Sequence, residues 1–176
     1  MSDAKEVTMH TDGACLGNPG PGGWAVVLRC GRHRRELSGG RRRTTNNRME
    51  LLAAVEGLRA LKGVCAVTVV SDSRYLVDGV MKGWARRWRD AGWRRGGSAT
   101  PNADLWALLL ELCERHTVRF EWVRGHAGDA DNERCDSLSV LAAHADDLPP
   151  DDGFEERGQP QPVSGGQPTL FDWAGG

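Results

Sequence analysis

The 176-residue chain is short of apolar material. Hydrophobic residues make up 39% of it, less than a globular domain usually carries, because glycine and arginine take their place. No apolar run approaches the roughly 20 residues that span a bilayer, which argues against a membrane protein. The opening residues, Met-Ser-Asp-Ala-Lys-Glu, lack the apolar core of a signal peptide. Cysteines stand at 15, 30, 65, 113 and 135 with no C-x-x-C pair. An odd, scattered set fits neither a disulfide framework nor a thiolate zinc site, and suits reduced thiols. The expectation is a cytoplasmic, monomeric protein with one domain long enough to bury a real core.

The charge is unevenly spread. The formal net charge is −1, but seven acids and only Arg157 as a base fall after Ala145. The first 145 residues therefore hold 22 bases against 17 acids, a net of +5. A basic body favours a polyanionic partner. The stretch from Asp146 to Gly166 is rich in acids, proline and glycine, the composition of a disordered tether. The expected division is a catalytic-sized domain over 1–145 and a tail over 146–176 with an apolar end.

What the chain does have is organised around Val7–Gly23. Val7, Met9 and Thr11 alternate with Thr8 and His10 at the period of a strand. Asp12 follows, and then a run of glycine and proline that forces tight turns and lets backbone approach a ligand. Gly23–Cys30 and Arg34–Ser38 read as two further strands of an antiparallel meander. Met49–Leu61 is an amphipathic helix, with Thr45 or Asn46 placed to cap it. Cys65–Val70 is a nearly continuous apolar run, as in a buried parallel strand, and ends at Asp72. Helices follow over Ser73–Val80 and Ala103–His116, then a strand at Val118–Val123 and a last helix over Asn132–Ala145. The order predicts an α/β domain: a five-stranded mixed sheet, three antiparallel strands and then parallel ones, flanked by helices.

Four acids stand at sensitive points of this order. Asp12 and Asp72 end two candidate strands, Glu50 opens a helix, and Asp136 lies in the first turns of the last helix. Converging carboxylates without balancing bases repel. Divalent cations relieve that repulsion, and oxygen-only ligands favour Mg²⁺, with Mn²⁺ as a substitute. Two such ions can activate a water and stabilise the leaving oxygen of a displacement at phosphorus.

Five motifs occur in one order: T-D-G-A-C-L-G-N-P-G-P-G-G-W from Thr11, T-T-N-N-R-M-E-L from Thr44, S-D-S-R-Y from Ser71, W-V-R-G-H-A-G from Trp122, and N-E-R-C-D from Asn132. Together they closely resemble bacterial ribonuclease HI, the type 1 ribonuclease H family, over about residues 5–145. The resemblance implies a ribonuclease H-like fold and an endonuclease that hydrolyses the RNA strand of RNA·DNA hybrids, leaving 5′-phosphate and 3′-hydroxyl ends. It implies that Asp12, Glu50, Asp72 and Asp136 bind the metal ions. Asp12 would bridge both ions, Asp136 would complete the site that activates water, and Glu50 with Asp72 would hold the ion on the leaving oxygen. His126 matches the family's mobile-loop histidine, a proton carrier or an aid to product release.

Further positions follow from the same resemblance. Cys15, Asn18 and Asn46 match contacts to the hybrid's minor groove, where the 2′-hydroxyl marks RNA. Thr45 and Asn47 resemble a pocket for a DNA-strand phosphate. Arg74 stands where relatives carry glutamine, and a guanidinium donates but cannot accept. The stretch 82–95 resembles a basic protrusion: Trp84 and Trp88 hold the element while Arg86, Arg87, Arg94 and Arg95 meet DNA phosphates. Finally, Gln167, Leu170 and Phe171 resemble a short peptide that docks on a sliding clamp. The rival readings are an inactive hybrid-binding module and a DNA-acting relative.

Overall fold

The structure, a computed structural model, describes residues 3–156. The clamp-like residues Gln167, Leu170 and Phe171 lie outside the described residues. Strands β1 (Lys5–Cys15), β2 (Gly20–Cys30) and β3 (His33–Thr44) form an antiparallel meander. Helix α1 (Asn46–Arg59) crosses over to β4 (Cys65–Ser71), which pairs parallel with β1. Helices α2 (Arg74–Met81) and α3 (Trp84–Asp90), a small hairpin of β5 (Arg94–Arg95) and β6 (Ser98–Ala99), and α4 (Ala103–Arg115) lead to β7 (Thr117–Trp122). Helix α5 (Ala130–Ala143) and the single turn α6 (Asp152–Glu155) complete the order. The main sheet runs β3-β2-β1-β4-β7. This is the expected five-stranded mixed sheet, three antiparallel strands continued by two parallel ones. Among the described residues no helix is long and apolar enough to cross a membrane.

The sheet separates two cores because successive side chains of a strand face opposite ways. Val26 and Leu28 join Met9, Leu51, Val55, Trp106 and Leu109 under α1 and α4. Ala25 and Val27 turn to the other face and meet Cys135 of α5. Tyr75 and Trp88 pack their rings against the fully buried Trp106, with centroids 5.3 and 5.7 Å away. Residues fully withdrawn from water on the first face contribute roughly 1.5–3 kcal/mol each, the main favourable term of the fold.

Four expectations change. First, Asp12 is not the last residue of its strand. β1 runs on to Cys15, because Gly13, Ala14 and Cys15 pair with Trp24, Gly23 and Gly22 of β2. Much of the glycine-rich stretch is therefore ladder, and the chain turns within 16–19, closed by Leu16 N–H to Pro21 O at 2.7 Å. Second, β3 extends to Thr44 through the arginines at 41–43; an edge strand has one free side, where charged side chains are well placed. Third, a hairpin absent from the expected order, β5–β6, follows α3 and turns at Gly96 and Gly97. Fourth, the chain stays packed beyond 145. Arg42 N–H donates to Pro149 O at 2.9 Å, and Asp151 is buried. A composition rich in acids, proline and glycine predicts the tail from 146, yet the acids at 151 and 155 are paired with arginines of the domain.

Candidate active site

The fold carries the acids to one edge of the sheet. β1 and β4 run parallel from Lys5 opposite Cys65 to His10 opposite Val70. Carried two residues on, the same offset sets Asp12 opposite Asp72. α1 supplies Glu50, and the approach is close: a Cβ at Gly13 would lie 2.5 Å from Glu50 N and 2.6 Å from Met49 C. Only glycine lets β1 pass the start of α1 at that distance. One oxygen from each of Asp12, Glu50 and Asp72 then lies within 4.8 Å of the other two.

The electrostatics of this triad are unfavourable as it stands. Asp12 and Glu50 are buried and Asp72 half-buried. Burial first, then the charge of Asp72, push Asp12 up to about 7, although Gly13 N–H donates to Asp12 Oδ1 at 2.9 Å. Burial and the charges of Asp12 and Asp72 hold Glu50 well above the ordinary carboxylate range. Glu50 Oε2 is buried with no hydrogen-bond partner. A buried oxygen without a donor is costly unless something else meets it. The donor set is oxygen only, carries no balancing base, and has one orphaned lone-pair site. These residues fit a hard divalent cation.

Asp136, the fourth expected acid, is half-buried on α5. It stands outside the triad and acts on it at range, as a further negative charge that raises Asp12. α5 is held there by Asp129, whose Oδ1 accepts from the backbone N–H groups of Asp131 and Asn132 at 3.1 and 3.0 Å. The other oxygen of Asp129 pairs with His10 Nε2 at 3.2 Å, tying the start of α5 to β1. His126 is exposed on the loop between β7 and α5, with φ 57°, in the left-handed region. That loop passes against the triad: a Cβ at Gly125 would lie 2.8 Å from Asp72 Oδ2.

The expected substrate residues gather on the β1–α1 side. Cys15 Sγ lies 3.4 Å from Thr44 O and 3.5 Å from Gly20 O. Asn18 Oδ1 accepts from Asn46 N–H at 3.1 Å, so the β1–β2 turn is joined to the start of α1. Thr45 caps that helix by accepting from Arg48 N–H at 3.3 Å. An open pocket of about 430 Å³ lies beside them, lined by Asn18, Thr45, Asn47, Asn102 and Phe154 among others. Asn102 was not foreseen; it stands at a left-handed φ of 58° before α4, and a lone loop asparagine gives no sequence signal. Arg74 is exposed at the start of α2, with its guanidinium 3.6 Å from the centre of the Trp122 ring. In the 82–95 stretch Trp84 is buried and Trp88 half-buried, while Arg86, Arg87 and Arg94 are exposed and Arg95 half-buried.

A second unforeseen cluster supports the first. Arg48 is 3% exposed and makes bidentate pairs with Asp151 (2.7 and 2.9 Å) and Asp104 (2.9 and 2.7 Å). Thr44 Oγ1 donates to Asp151 at 2.6 Å. Burial alone would lower Arg48, but the two carboxylates outweigh it and hold it above its ordinary value. This network joins β3, α1, α4 and the chain after Pro149 directly behind Thr45 and Asn47.

Comparison with known proteins agrees with this fold. A family model described as RNase H matches residues 4–144. The chain is similar to Ribonuclease H of Syntrophus aciditrophicus, 60% identical over 151 residues, covering 85% of this chain and 87% of the relative. It is 53% identical to Ribonuclease H of Rippkaea orientalis over 160 residues, covering 90% and 98%. Among solved structures it resembles LC9-RNase H1, described as a type 1 RNase H with the type 2 active-site motif, at a TM-score of 0.74 and 36% identity, covering 81% of this chain and 74% of that one.

Proposed function

The chain belongs to the ribonuclease H family, hydrolases acting on RNA within RNA·DNA hybrids, and from that premise we propose that it cleaves the RNA strand by a two-cation mechanism, Mg²⁺ being the working ion. The observation that carries this reading is the triad of Asp12, Glu50 and Asp72 around the unpartnered Glu50 Oε2. Asp12, Glu50 and Asp72 would hold the cations, and Asp136, the further negative charge beside them, would add its carboxylate. When bound, such ions supply an activated water and charge for the departing 3′-oxygen, which leaves 5′-phosphate and 3′-hydroxyl ends.

The protein's own groups do the rest. Cys15, Asn18 and Asn46 line the approach where a 2′-hydroxyl distinguishes RNA. Thr45 and Asn47, with Asn102 beside them, offer small polar side chains to a DNA-strand phosphate. The exposed arginines of the protrusion meet phosphates further along the duplex, which positions it without reading its sequence. His126, exposed on the loop that passes Asp72, offers its imidazole as a proton carrier or an aid to product release.

The test is incubation with a labelled RNA·DNA hybrid and Mg²⁺, beside RNA·RNA and DNA·DNA duplexes and an Asp12→Asn variant. The expected result is cleavage of the hybrid's RNA strand alone, abolished by EDTA and in the variant. Binding without cleavage, or cleavage of a DNA duplex, would overturn the reading.

A further inference from the structure

Arg74 stands apart from the other arginines of this face. Its guanidinium carbon lies 3.6 Å from the centre of the Trp122 ring, and Trp122 itself donates Nε1–H to the backbone oxygen of Asp72 at 3.0 Å. A second tie, Val123 N–H to Ser71 O at 3.0 Å, holds the end of β7 beside the end of β4. Ser73, between Asp72 and Arg74, caps α2 by accepting from Leu76 N–H at 3.2 Å. The ring under Arg74 is therefore tied to the strand end that supplies one acid of the triad, and Arg74 itself opens the helix that follows it. Arg74 itself is exposed, and among the described residues it forms no ion pair. A long side chain that seeks phosphates usually stays free to swing; this one rests over a ring that is itself bonded to the backbone of Asp72, next to the reacting site.

From this we infer that Arg74 is a specificity-determining residue that reads the base pair beside the cleaved linkage, disfavouring a guanine amino group there. The inference rests on the function proposed above. An enzyme that tells RNA from DNA by the 2′-hydroxyl faces the minor groove, where those hydroxyls are displayed. In that groove every base pair offers acceptors, purine N3 and pyrimidine O2, and a G·C pair adds the guanine 2-amino donor. Arginine carries five donors and no acceptor. An A·U or A·T pair can accept from Arg74. A G·C pair sets a donor against donors, and the cation–π contact with Trp122 favours the guanidinium staying where it meets that donor. A glutamine at the same place could accept from that amine through its carbonyl.

The test maps cleavage positions along hybrids in which single guanines are replaced by hypoxanthine, the same base without its 2-amino group. For the unaltered protein, hypoxanthine at the sensitive position should raise cleavage at the adjacent linkage by roughly 5- to 50-fold, the range one well-aligned base contact supplies. In Arg74→Gln the two bases should become equivalent within about twofold, with thermal unfolding showing that the variant is folded. Two results would overturn the inference. One is an unaltered protein that already treats the two bases alike. The other is an Arg74→Gln variant that loses binding equally on all sequences, with a salt slope shallower by about 1, which would make Arg74 a phosphate contact. Failure of the unaltered protein to cut any hybrid would instead refute the function on which the inference rests.

Discussion

Replacing Asp12 by Asn should stabilise the metal-free protein. Asp12 is held near 7 instead of its ordinary 3.8. The folded state therefore keeps a proton that the unfolded chain releases between those values. Stability is lost as pH rises through that window, and the loss is complete above about pH 7. At 1.36 kcal/mol for each pH unit, the difference sets an upper bound of about 4 kcal/mol. Asp72 is half-buried, so water reaches that side of the cluster and shares the cost; about half the bound, ~2 kcal/mol, is the working figure. Asn keeps the oxygen that accepts from Gly13 N–H, and the neighbouring Glu50 and Asp72 carboxylates can accept from the amide N–H groups it adds. For a domain of this size ~2 kcal/mol corresponds to about 4–8 °C in Tm. Thermal unfolding followed by circular dichroism, in EDTA, should show that gain near pH 8 and only a small remainder near pH 4. Excess Mg²⁺ should raise the Tm of the unaltered protein, since an ion bound only by the folded state stabilises it, and should raise that of the variant less. Equal stability of the two proteins near pH 8 in EDTA, or the same gain near pH 4, would refute the repulsion argument.

Three other outcomes follow from the same structure. Arg48→Ala leaves Asp151 buried without its cation and should cost about 3–5 kcal/mol, read as a lower midpoint in urea unfolding; an unchanged midpoint would mean the network is not formed in solution. Gly13→Ala drives a methyl group into the backbone of Met49 and Glu50, so it should cost about 1–3 kcal/mol and reduce hybrid cleavage far more than that loss of stability explains. Replacing Arg86, Arg87 and Arg94 by Ala should flatten the dependence of log binding constant on log salt by about 2–3, measured by fluorescence anisotropy on a labelled hybrid; an unchanged slope would remove the protrusion from the interface.

The parts of this protein legible in sequence were those governed by periodicity and local chemistry. The amphipathic pattern of 103–116 and the apolar run of 65–70 place α4 and β4 within a residue or two. The ends of β1 and β3 were not legible, because glycine and arginine have little strand preference of their own and are held there by pairing with β2. The triad could be suspected from acids at element ends, yet its convergence depends on the parallel register of β1 with β4. Nothing local to either strand sets that register. Arg48 and Asp151 illustrate the limit most plainly. They are 103 residues apart, one inside a helix pattern and one inside an acidic stretch whose composition argues for disorder, and their partnership exists only once both are folded.

That partnership bears on how the site persists at all. Three carboxylates gathered at one sheet edge, two of them buried, oppose folding at neutral pH. The cost must be offset where the triad's elements are held, and each is anchored away from the acids. β1 is fixed on both sides by ladders and by Met9 in the core. β4 is fixed by β7, with Trp122 bonded to the backbone of Asp72. The start of α1 is fixed by Arg48, whose two carboxylate partners come from α4 and the chain beyond Pro149. An arginine so placed cannot neutralise the triad, because its donors are already spent on Asp104 and Asp151. The domain thus holds its acids together with a cation two residues from Glu50 while keeping that cation's charge directed elsewhere, which leaves the triad open to metal.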